Sequence, residues 1–329
     1  MKEGTKEPIL KVKNLITKFS VFDKVFTAVD GISFELYQNE ILAIVGESGS
    51  GKTVTNYSIM KLIDPPGFIE KESEIIYKER NLLALSEKEI AKIRGNKIAM
   101  IFQEPSASFN PLFRIGSQIG ESVRLHIKKN RKEALKLAVK LFENVHISEP
   151  EKRALDYPFQ LSGGMLQRAM VAQALISQPD ILLADEPTTA LDVTTQAQIL
   201  SLLKKKSEET GMSIIFVTHD LALIENFADR IIILYNGRIM EIGSSGDVFS
   251  NPANPYTEDL LKAVPKLGVF KNENMLYTIK GKTPSPYDII PGCKYSPRCS
   301  KCFDLCTQKE PDLIRKNENH YTRCHLAAV

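Results

Sequence analysis

The residues whose types and spacing are best suited to chemistry form one continuous run, Gly46–Thr53, with the sequence Gly-Glu-Ser-Gly-Ser-Gly-Lys-Thr. It fits the pattern G-x-x-x-x-G-K-[ST], in which glycines let the backbone present N–H groups to phosphate oxygens. The lysine can reach the terminal phosphates, the threonine hydroxyl can bind Mg²⁺, and a following helix adds its positive N-terminal end. We predict a nucleotide site formed by Gly46, Glu47, Ser48, Gly49, Ser50, Gly51, Lys52 and Thr53.

The element in front of this run is predicted to be a strand. Ile41–Val45 is an uninterrupted apolar stretch, which is typical of a strand buried on both faces. A glycine-rich turn from strand to helix also occurs in proteins without any ligand. The lysine and threonine that close this turn favour phosphate binding over that alternative.

A second predicted strand ends in two carboxylates. The apolar residues Ile181–Ala184 are followed directly by Asp185 and Glu186. Two acids at the end of a buried strand are costly unless they bind a cation or handle a proton. Beside a phosphate loop, we expect Asp185 to hold Mg²⁺, directly or through water, and Glu186 to polarise the water that attacks the γ-phosphate. The alternative is a structural pair that caps the following turn.

Two further positions follow predicted elements of the same kind. The apolar strand Ser213–Val217 is followed by His219, and the carboxyl ends of strands in open α/β sheets are where ligands bind. Ser162 is a suitable N-cap for a helix and is followed by Gly163 and Gly164, so this helix start could form a second anion-binding surface. Many helices begin with Ser-Gly, so this pattern is informative only beside the others.

The N-terminal patterns predict an antiparallel sheet. Ile9–Phe19 and Ala28–Leu36 are typical of strands, and Asp30-Gly31 indicates a turn. An aromatic side chain here could stack on an adenine ring, and the candidates are Phe19, Phe22 and Phe26. We assign Phe19 to the ATP site, although packing in the core or in a loop is the simpler interpretation for any single one of the three.

The middle of the chain is predicted to be helical. From Ile115 to about His146 the apolar residues recur with helical spacing, so an all-helical block is expected between strands of the nucleotide domain. Ile231–Leu234 and Arg238–Ile242 are separated by Tyr-Asn-Gly and predict a hairpin that closes the domain.

Composition sets the outer limits of these predictions. The 329 residues favour one large domain with an appendage, and a net charge of +3 is too small to indicate nucleic-acid binding. No stretch approaches the 18 apolar residues of a transmembrane helix, and no signal peptide is evident, so we expect a cytoplasmic protein. All five cysteines fall between Cys293 and Cys324, which in a reducing compartment favours a metal site over disulfides.

Taken together, the motifs resemble those of ATP-binding-cassette (ABC) ATPases over roughly residues 8–250. The matching motifs, in the family's order, are the phosphate loop, Gln103, Leu161-Ser-Gly-Gly164 followed by Gln167-Arg168, Asp185-Glu186, Ala190-Leu-Asp192 and His219. Met165 stands where the family usually has Gln, and this variant is familiar from the oligopeptide and dipeptide importer ATPases. Other segments that resemble this branch are Phe102-Gln-Glu-Pro-Ser106, Asn254-Pro-Tyr-Thr257, with Asn254 where His is commoner, and Leu260-Leu-Lys-Ala-Val-Pro265.

The resemblance implies an α/β fold. Its parts would be a phosphate-loop (RecA-like) ABC ATPase core, an antiparallel β subdomain, an inserted α-helical subdomain at about 104–177 and a small Cys-rich C-terminal extension. The expected domains are therefore an ABC nucleotide-binding domain at 1–250 and the oligopeptide-importer extension at 251–329.

The resemblance also implies a mechanism that one chain cannot complete. Two domains pair head to tail, and each ATP lies between the Lys52 loop of one chain and the Ser162–Gly164 segment of the other. Thr53, Gln103 and Asp185 would serve Mg²⁺, and Gln103 would also pass the state of the site to the helical block. Glu186 would be the catalytic base, His219 would hold the γ-phosphate, and Asp192 would communicate across the dimer.

The function implied is an ATPase subunit that powers the import of di- or oligopeptides, or of related small solutes. Its partners would be a second ABC ATPase, two permeases and an extracytoplasmic solute-binding protein, with the chain peripheral on the cytoplasmic side of the membrane and with no nucleic acid. The alternative is a soluble ABC ATPase acting on ribosomes or DNA, for which a duplicated cassette, a long coiled-coil insertion or a basic face is expected. A partner that only binds ATP is disfavoured by the intact Lys52, Glu186 and His219.

The cysteines have the spacing Cys293-x5-Cys299-x6-Cys306-x17-Cys324, with Cys302 in addition. This spacing fits neither the close pairs of zinc ribbons nor the runs of ferredoxins. It resembles the tail of the dipeptide-importer branch, in which four such cysteines are taken to hold a [4Fe–4S] cluster. We expect these four to be ligands of a structural cluster and Cys302 to be spare, with structural zinc and no metal as the alternatives.

Overall fold

The computed structural model describes residues 7–189, 191–264 and 277–328, so Ala190 and Pro265 of the motifs above lie outside the described residues. The chain divides into two compact units. The first contains Tyr37–Glu40 and Ala84–Val217, and the second contains Pro8–Leu36, Ile41–Leu83 and Thr218–Val329. Within the described ranges, no helix is both long and apolar enough to cross a membrane.

The strands are β1 (Pro8–Val21), β2 (Lys24–Tyr37), β3 (Ile41–Val45), β4 (Gly67–Ile69), β5 (Glu74–Tyr77), β6 (Arg80–Asn81), β7 (Ile98–Ile101), β8 (Ile181–Asp185), β9 (Ser213–Thr218), β10 (Arg230–Tyr235), β11 (Arg238–Ser244), β12 (Ile314–Asn317) and β13 (His320–Thr322). The α-helices are α1 (Lys52–Ile59), α2 (Glu87–Ile90), α3 (Pro105–Ser108), α4 (Ile115–Ile119), α5 (Glu121–His126), α6 (Arg131–Asn144), α7 (Pro150–Arg153), α8 (Gly163–Leu175), α9 (Val193–Thr210), α10 (Ser245–Ser250), α11 (Pro255–Ala263) and α12 (Asp304–Gln308). Short 3₁₀ turns lie at Leu82–Ala84, Pro158–Gln160, Leu221–Leu223 and His325–Ala328.

The second unit contains the predicted N-terminal sheet. Its strands lie in the order β2-β1-β5-β6, with β4 beside β1, and β1 pairs antiparallel with both β4 and β5. The turn predicted at Asp30-Gly31 is wrong, because both residues lie inside β2. Gly31 has a left-handed φ of +67° and so accommodates an irregularity in a continuous strand. The chain instead reverses at Phe22 and Asp23, where φ is +47° and +61°.

The same unit carries a second run of strands in the order β12-β13-β11-β10-β3. Every residue of β3 is buried, and β3 pairs in parallel with β10. The predicted hairpin is formed by β10 and β11. At its turn, Asn236 and Gly237 both have positive φ, as a type I′ turn requires.

The first unit is built on the parallel strands β7, β8 and β9, which lie in the order β9-β8-β7. All residues of these three strands are buried. Helices α3 to α8 lie between β7 and β8 in the chain, and α6 buries Ala134, Ala138 and Phe142. The structure therefore confirms the predicted strand that leads into Asp185 and Glu186, which is β8.

Buried polar groups join the C-terminal strands to the hairpin within the second unit. Glu241 of β11 is fully buried and accepts hydrogen bonds from the backbone N–H groups of Ala253 (2.7 Å) and Asn254 (3.0 Å). His320 of β13 is also fully buried, and its Nε2 lies 2.6 Å from Glu241 Oε1. The Asn254 side chain caps α11 and donates to the backbone oxygens of Met240 and Arg323.

We expect Glu241→Ala to lower the free energy of unfolding by about 3–5 kcal/mol, because it leaves His320 and two backbone N–H groups buried without their acceptor. Urea unfolding followed by circular dichroism measures this loss. As the control, Glu74→Ala removes a pair with Lys13 in which both side chains are about half exposed, and should cost less than about 1 kcal/mol. Equal effects of the two substitutions would show that Glu241 does not organise this region.

Candidate nucleotide-binding and catalytic site

The phosphate loop connects β3 to α1, and two of its glycines are required by the backbone around them. A Cβ on Gly46 would lie 2.1 Å from the carbonyl oxygen of Leu234. Gly51, the N-cap of α1, has a φ of +102°, and a Cβ there would lie 2.5 Å from the carbonyl oxygen of Ala28. The close approach of neighbouring strands therefore excludes any side chain at either position.

Lys52 is held inside this loop. Its side chain is buried, and its Nζ donates hydrogen bonds to the backbone oxygens of Gly46 (2.8 Å) and Glu47 (2.9 Å). Ser48 and Gly49 at the middle of the loop are exposed, and the helix that follows starts at Lys52 itself. The arrangement offers a fixed positive charge and a helix N-terminus to an anion.

Glu47 binds Tyr256 and Arg298 from the C-terminal part of the chain, and neither was assigned to the site from the sequence. Its backbone N–H donates to the hydroxyl of Tyr256 (3.1 Å). Its carboxylate accepts hydrogen bonds from both terminal nitrogens of Arg298, with Nη1–Oε2 at 2.5 Å and Nη2–Oε1 at 3.0 Å. A carboxylate inside an anion-binding loop indicates that a cationic partner is needed. The neighbouring sequence does not indicate that this partner is Arg298, 251 positions away.

Three tyrosines pack together behind this ion pair. The ring of Tyr256 lies 4.7 Å from that of Tyr235 and 5.0 Å from that of Tyr295, measured between centroids. Burial raises the pKa of both Tyr235 and Tyr256, so the hydroxyls stay protonated. The hydrogen bonds to Glu47 raise the pKa of Arg298, so the guanidinium stays charged.

The aromatic candidates for the adenine separate into two groups. Phe19 and Phe26 stack with their centroids 5.6 Å apart, whereas Phe22 is 96% exposed at the turn between β1 and β2. Tyr287 contacts the edge of Phe26 at 5.2 Å and was not selected from the sequence. Phe19 and Phe26 are therefore half-buried neighbours, whereas Phe22 is an exposed residue of the turn.

The first unit brings Gln103 and Glu186 together. Gln103 Nε2 lies 3.4 Å from Glu186 Oε2, which also accepts a hydrogen bond from Thr189 Oγ1 at 3.1 Å. Asp185 is the last residue of β8 and is fully buried. Glu186 has a positive φ of +46°, a strained conformation that is concentrated at functional sites.

The helix start at Ser162 has the predicted form. Ser162 is the N-cap of α8 and accepts a hydrogen bond from the backbone N–H of Met165 at 3.3 Å. Ser162 and Gly163 are exposed, so the start of the helix is open to a ligand. The buried Gln167 ties α8 to the segment after Glu186, because its Nε2 donates to the carbonyl oxygen of Pro187 at 2.6 Å.

Asp192 caps a helix in the first unit. It is the N-cap of α9 and accepts from the backbone N–H (3.0 Å) and the hydroxyl (2.7 Å) of Thr195, and these bonds lower its pKa. His219 follows β9, belongs to the second unit and is exposed. The neighbouring Asp220 caps the next turn through the N–H of Ala222.

The cysteines gather in one region of the second unit. Burial raises the pKa of the Cys293 and Cys299 thiols to about 11, and the charges of Cys306 and Cys324 contribute to both shifts. Cys302 is exposed. Among residues 7–189, 191–264 and 277–328, however, no three His, Cys, Asp or Glu side chains are arranged as metal ligands. The four thiols are thus neighbours without the geometry of a ligand set, and the iron–sulfur prediction is not supported by the structure.

Comparison with known proteins decides the family. The model of the ABC transporter family matches residues 29–189, and that of the oligopeptide/dipeptide transporter C-terminal region matches residues 240–306. The chain is 43% identical over 320 residues to the dipeptide transport ATP-binding protein of Bacillus subtilis, covering 97% of this chain and 95% of that one. The chain belongs to the ABC transporter ATPases.

Further comparisons agree with this membership. An oligopeptide transport ATP-binding protein of the same organism is 43% identical over 319 residues, covering 97% of this ABC ATPase and 96% of the relative. Among solved structures, the dimeric post-hydrolysis state of the ATP-binding cassette MJ0796, bound to ADP and Pi, has a TM-score of 0.66 and 31% identity over 72% of this chain and 98% of that chain. The predicted family, the ABC ATPase fold and ATP hydrolysis are confirmed.

We expect Gly46→Ala to abolish nucleotide binding by this ABC ATPase, because a backbone carbonyl 2.1 Å from the new Cβ cannot move aside cheaply. Gly246→Ala in α10 is the matched control, since the nearest atom to its Cβ would be 4.0 Å away. Binding of a fluorescent ATP analogue measures the effect on both proteins, with circular dichroism as the check on folding. Normal binding by a folded Gly46→Ala protein would show that the loop tolerates a side chain there.

Proposed function

We propose that this ABC ATPase is the energy-coupling subunit of an importer and powers the uptake of di- or oligopeptides through partner permeases. The observation that carries the proposal is the match to dipeptide and oligopeptide transport ATP-binding proteins over 97% of the chain, including the transporter-specific C-terminal region. A soluble ABC ATPase acting on ribosomes or DNA is not favoured, because that function gives no reason for this C-terminal region.

The proposed ATP site uses the residues selected from the sequence. Gly46–Thr53 would bind the phosphates, with Lys52 already fixed by two carbonyl oxygens, and Phe19, stacked on Phe26, would hold the adenine. Thr53, Gln103 and Asp185 offer the hard oxygen donors that Mg²⁺ prefers. When bound, Mg²⁺ neutralises charge that develops on the β- and γ-phosphates.

Catalysis would consist of positioning and charge stabilisation, as is general for phosphoryl transfer. Glu186 would accept the proton of the attacking water, and Gln103, hydrogen-bonded to Glu186, would orient the same water. His219 would hold the γ-phosphate. Ser162, Gly163 and Gly164, of which the first two are exposed, would bind the ATP of a paired ATPase, and Asp192 would communicate with that partner.

The proposed assembly places the chain at the cytoplasmic face of the cell membrane. Its partners would be a second ABC ATPase, identical or different, two permeases and an extracytoplasmic solute-binding protein. The helical subdomain is proposed as 104–177, and its helices α3 to α7, within about 104–160, would receive the permeases. ATP would stabilise the closed pair and hydrolysis would release it, which shifts the population between two states.

The C-terminal extension, proposed as 251–329, would hold a [4Fe–4S] cluster through Cys293, Cys299, Cys306 and Cys324. Support comes from the type and number of the donors and from the nearness of the thiols. Burial, with a smaller contribution from the neighbouring thiols, raises the pKa of Cys293 and Cys299, so binding of a cluster would have to release their protons. A bound cluster would cross-link an extension whose described residues contain only the helices α11 and α12 and the short strands β12 and β13, with one 3₁₀ turn.

We expect Glu186→Gln to reduce ATP turnover by about a hundredfold or more while ATP still binds, because it removes the general base but keeps the shape of the side chain. Single-turnover hydrolysis and equilibrium binding separate the two effects. Glu208→Gln, on the exposed side of α9, is the control and should leave both unchanged. Undiminished hydrolysis in Glu186→Gln would identify another residue as the base.

We expect anaerobically purified protein to contain about four iron and four sulfide per chain. Cys306→Ser, at the buried cysteine, should lose the iron, whereas Cys302→Ser, at the exposed one, should retain it. Metal analysis together with the visible absorption spectrum gives the answer. One zinc per chain with no iron would contradict the cluster and indicate a structural zinc site instead.

A further inference from the structure

The negative charge of Glu47 is unfavourable in a loop that is proposed to bind anions. Glu47 directly follows Gly46, so its carboxylate belongs to the segment in which the proposed function places the phosphates of ATP. A carboxylate in the same loop as a bound polyphosphate repels it, and the repulsion is stronger where water is partly excluded. The loop therefore needs a positive partner for Glu47 if it is to attract a polyphosphate.

Arg298 supplies this partner from the C-terminal part of the chain. Its guanidinium binds both oxygens of Glu47 in a fork, the geometry that makes an Arg–carboxylate pair strong and directional. Its side chain is only 4% exposed, and its Nε donates to the carbonyl oxygen of Lys280 at 3.0 Å. The pair is therefore not one of the exposed ion pairs that contribute little.

Residue 47 is fixed at three of its groups. Its carboxylate binds Arg298, its N–H donates to Tyr256, and its carbonyl oxygen accepts from Lys52. Since that carbonyl oxygen is one of two that hold the Lys52 ammonium, a shift of Glu47 would also move the charge that is meant for the terminal phosphates.

The position of Arg298 is in turn set by a short turn that carries two cysteines. The N–H groups of Arg298 (3.0 Å) and Cys299 (3.1 Å) both donate to the carbonyl oxygen of Tyr295, and the N–H of Ser296 donates to that of Cys293. The folded cysteine-bearing segment thus presents one guanidinium to the phosphate loop.

We infer that Arg298 is a positioning residue of the nucleotide site: it cancels the charge of Glu47 and fixes the loop around Lys52, so that the C-terminal segment sets the affinity for ATP. The inference rests on the proposed role of Gly46–Thr53 in phosphate binding. It predicts that the effect of Arg298 grows with the charge of the nucleotide, because an uncompensated carboxylate repels ATP more than ADP.

The test is nucleotide binding by full-length Arg298→Met, measured by calorimetry. We expect the Kd for ATP to rise at least about tenfold, and the Kd for ADP to rise less. Lys301→Met is the matched control, because Lys301 lies three positions away and pairs with Glu258 of α11 rather than with the loop. It should bind ATP as the unaltered protein does.

A second substitution separates charge from folding. In Arg298→Met/Glu47→Gln the repelling carboxylate is gone, but the paired hydrogen bonds that fix the loop are still missing. The Kd for ATP should therefore lie between that of Arg298→Met and that of the unaltered protein. Glu47→Gln alone leaves the charge of Arg298 without its carboxylate and should increase the preference for ATP over ADP, which keeps the inference testable even if Arg298→Met does not fold.

Two results would overturn the inference. One is unchanged ATP binding by folded Arg298→Met, or an unchanged preference for ATP over ADP in Glu47→Gln. The other is a double variant that binds ATP as weakly as Arg298→Met. Lys52→Ala tests the proposed function separately. If Lys52→Ala binds ATP as well as the unaltered protein does, the loop Gly46–Thr53 is not the ATP site; if it binds ATP more weakly, a failure of the Arg298 test overturns the inference alone.

Discussion

The nucleotide loop depends on a buried ammonium group. A lysine taken out of water is unfavourable unless its hydrogens find acceptors, and Lys52 finds them in the carbonyl oxygens of Gly46 and Glu47. Those carbonyls are directed inward because the backbone at Gly46 lies against Leu234 and Glu47 is bound by Tyr256 and Arg298. A motif of eight residues near the N-terminus is therefore completed by residues more than two hundred positions later.

Because of this dependence, the C-terminal residues contribute to the conformation of the phosphate loop. Glu241, His320 and Asn254 hold the later strands and α11 to the hairpin, and α11 presents Tyr256 to the phosphate loop. The family's C-terminal region is thus attached by buried hydrogen bonds and contacts the segment proposed to bind ATP. An appendage with these contacts affects the loop whether or not it also holds a metal.

The parts of the site that could be predicted are those encoded within a few neighbouring residues. The phosphate loop, the N-cap at Ser162, the Asn-Gly hairpin turn and the carboxylates after β8 each follow from a local pattern with a physical cause. The parts that could not be predicted depend on the fold. Nothing near Arg298 distinguishes it from the other cations of the chain, and nothing near Asp30-Gly31 shows that the strand continues through a glycine with positive φ.

ATP hydrolysis by this subunit is proposed to drive peptide uptake, and transport by the complete complex tests this most directly. The complex would be purified from its membranes and reconstituted into vesicles, with nucleotide on the side of this subunit and labelled peptide with the solute-binding protein on the other. We predict that peptide accumulates with ATP and does not accumulate with a non-hydrolysable analogue. Equal accumulation with both nucleotides, or ATP turnover without any peptide movement, would contradict the proposal.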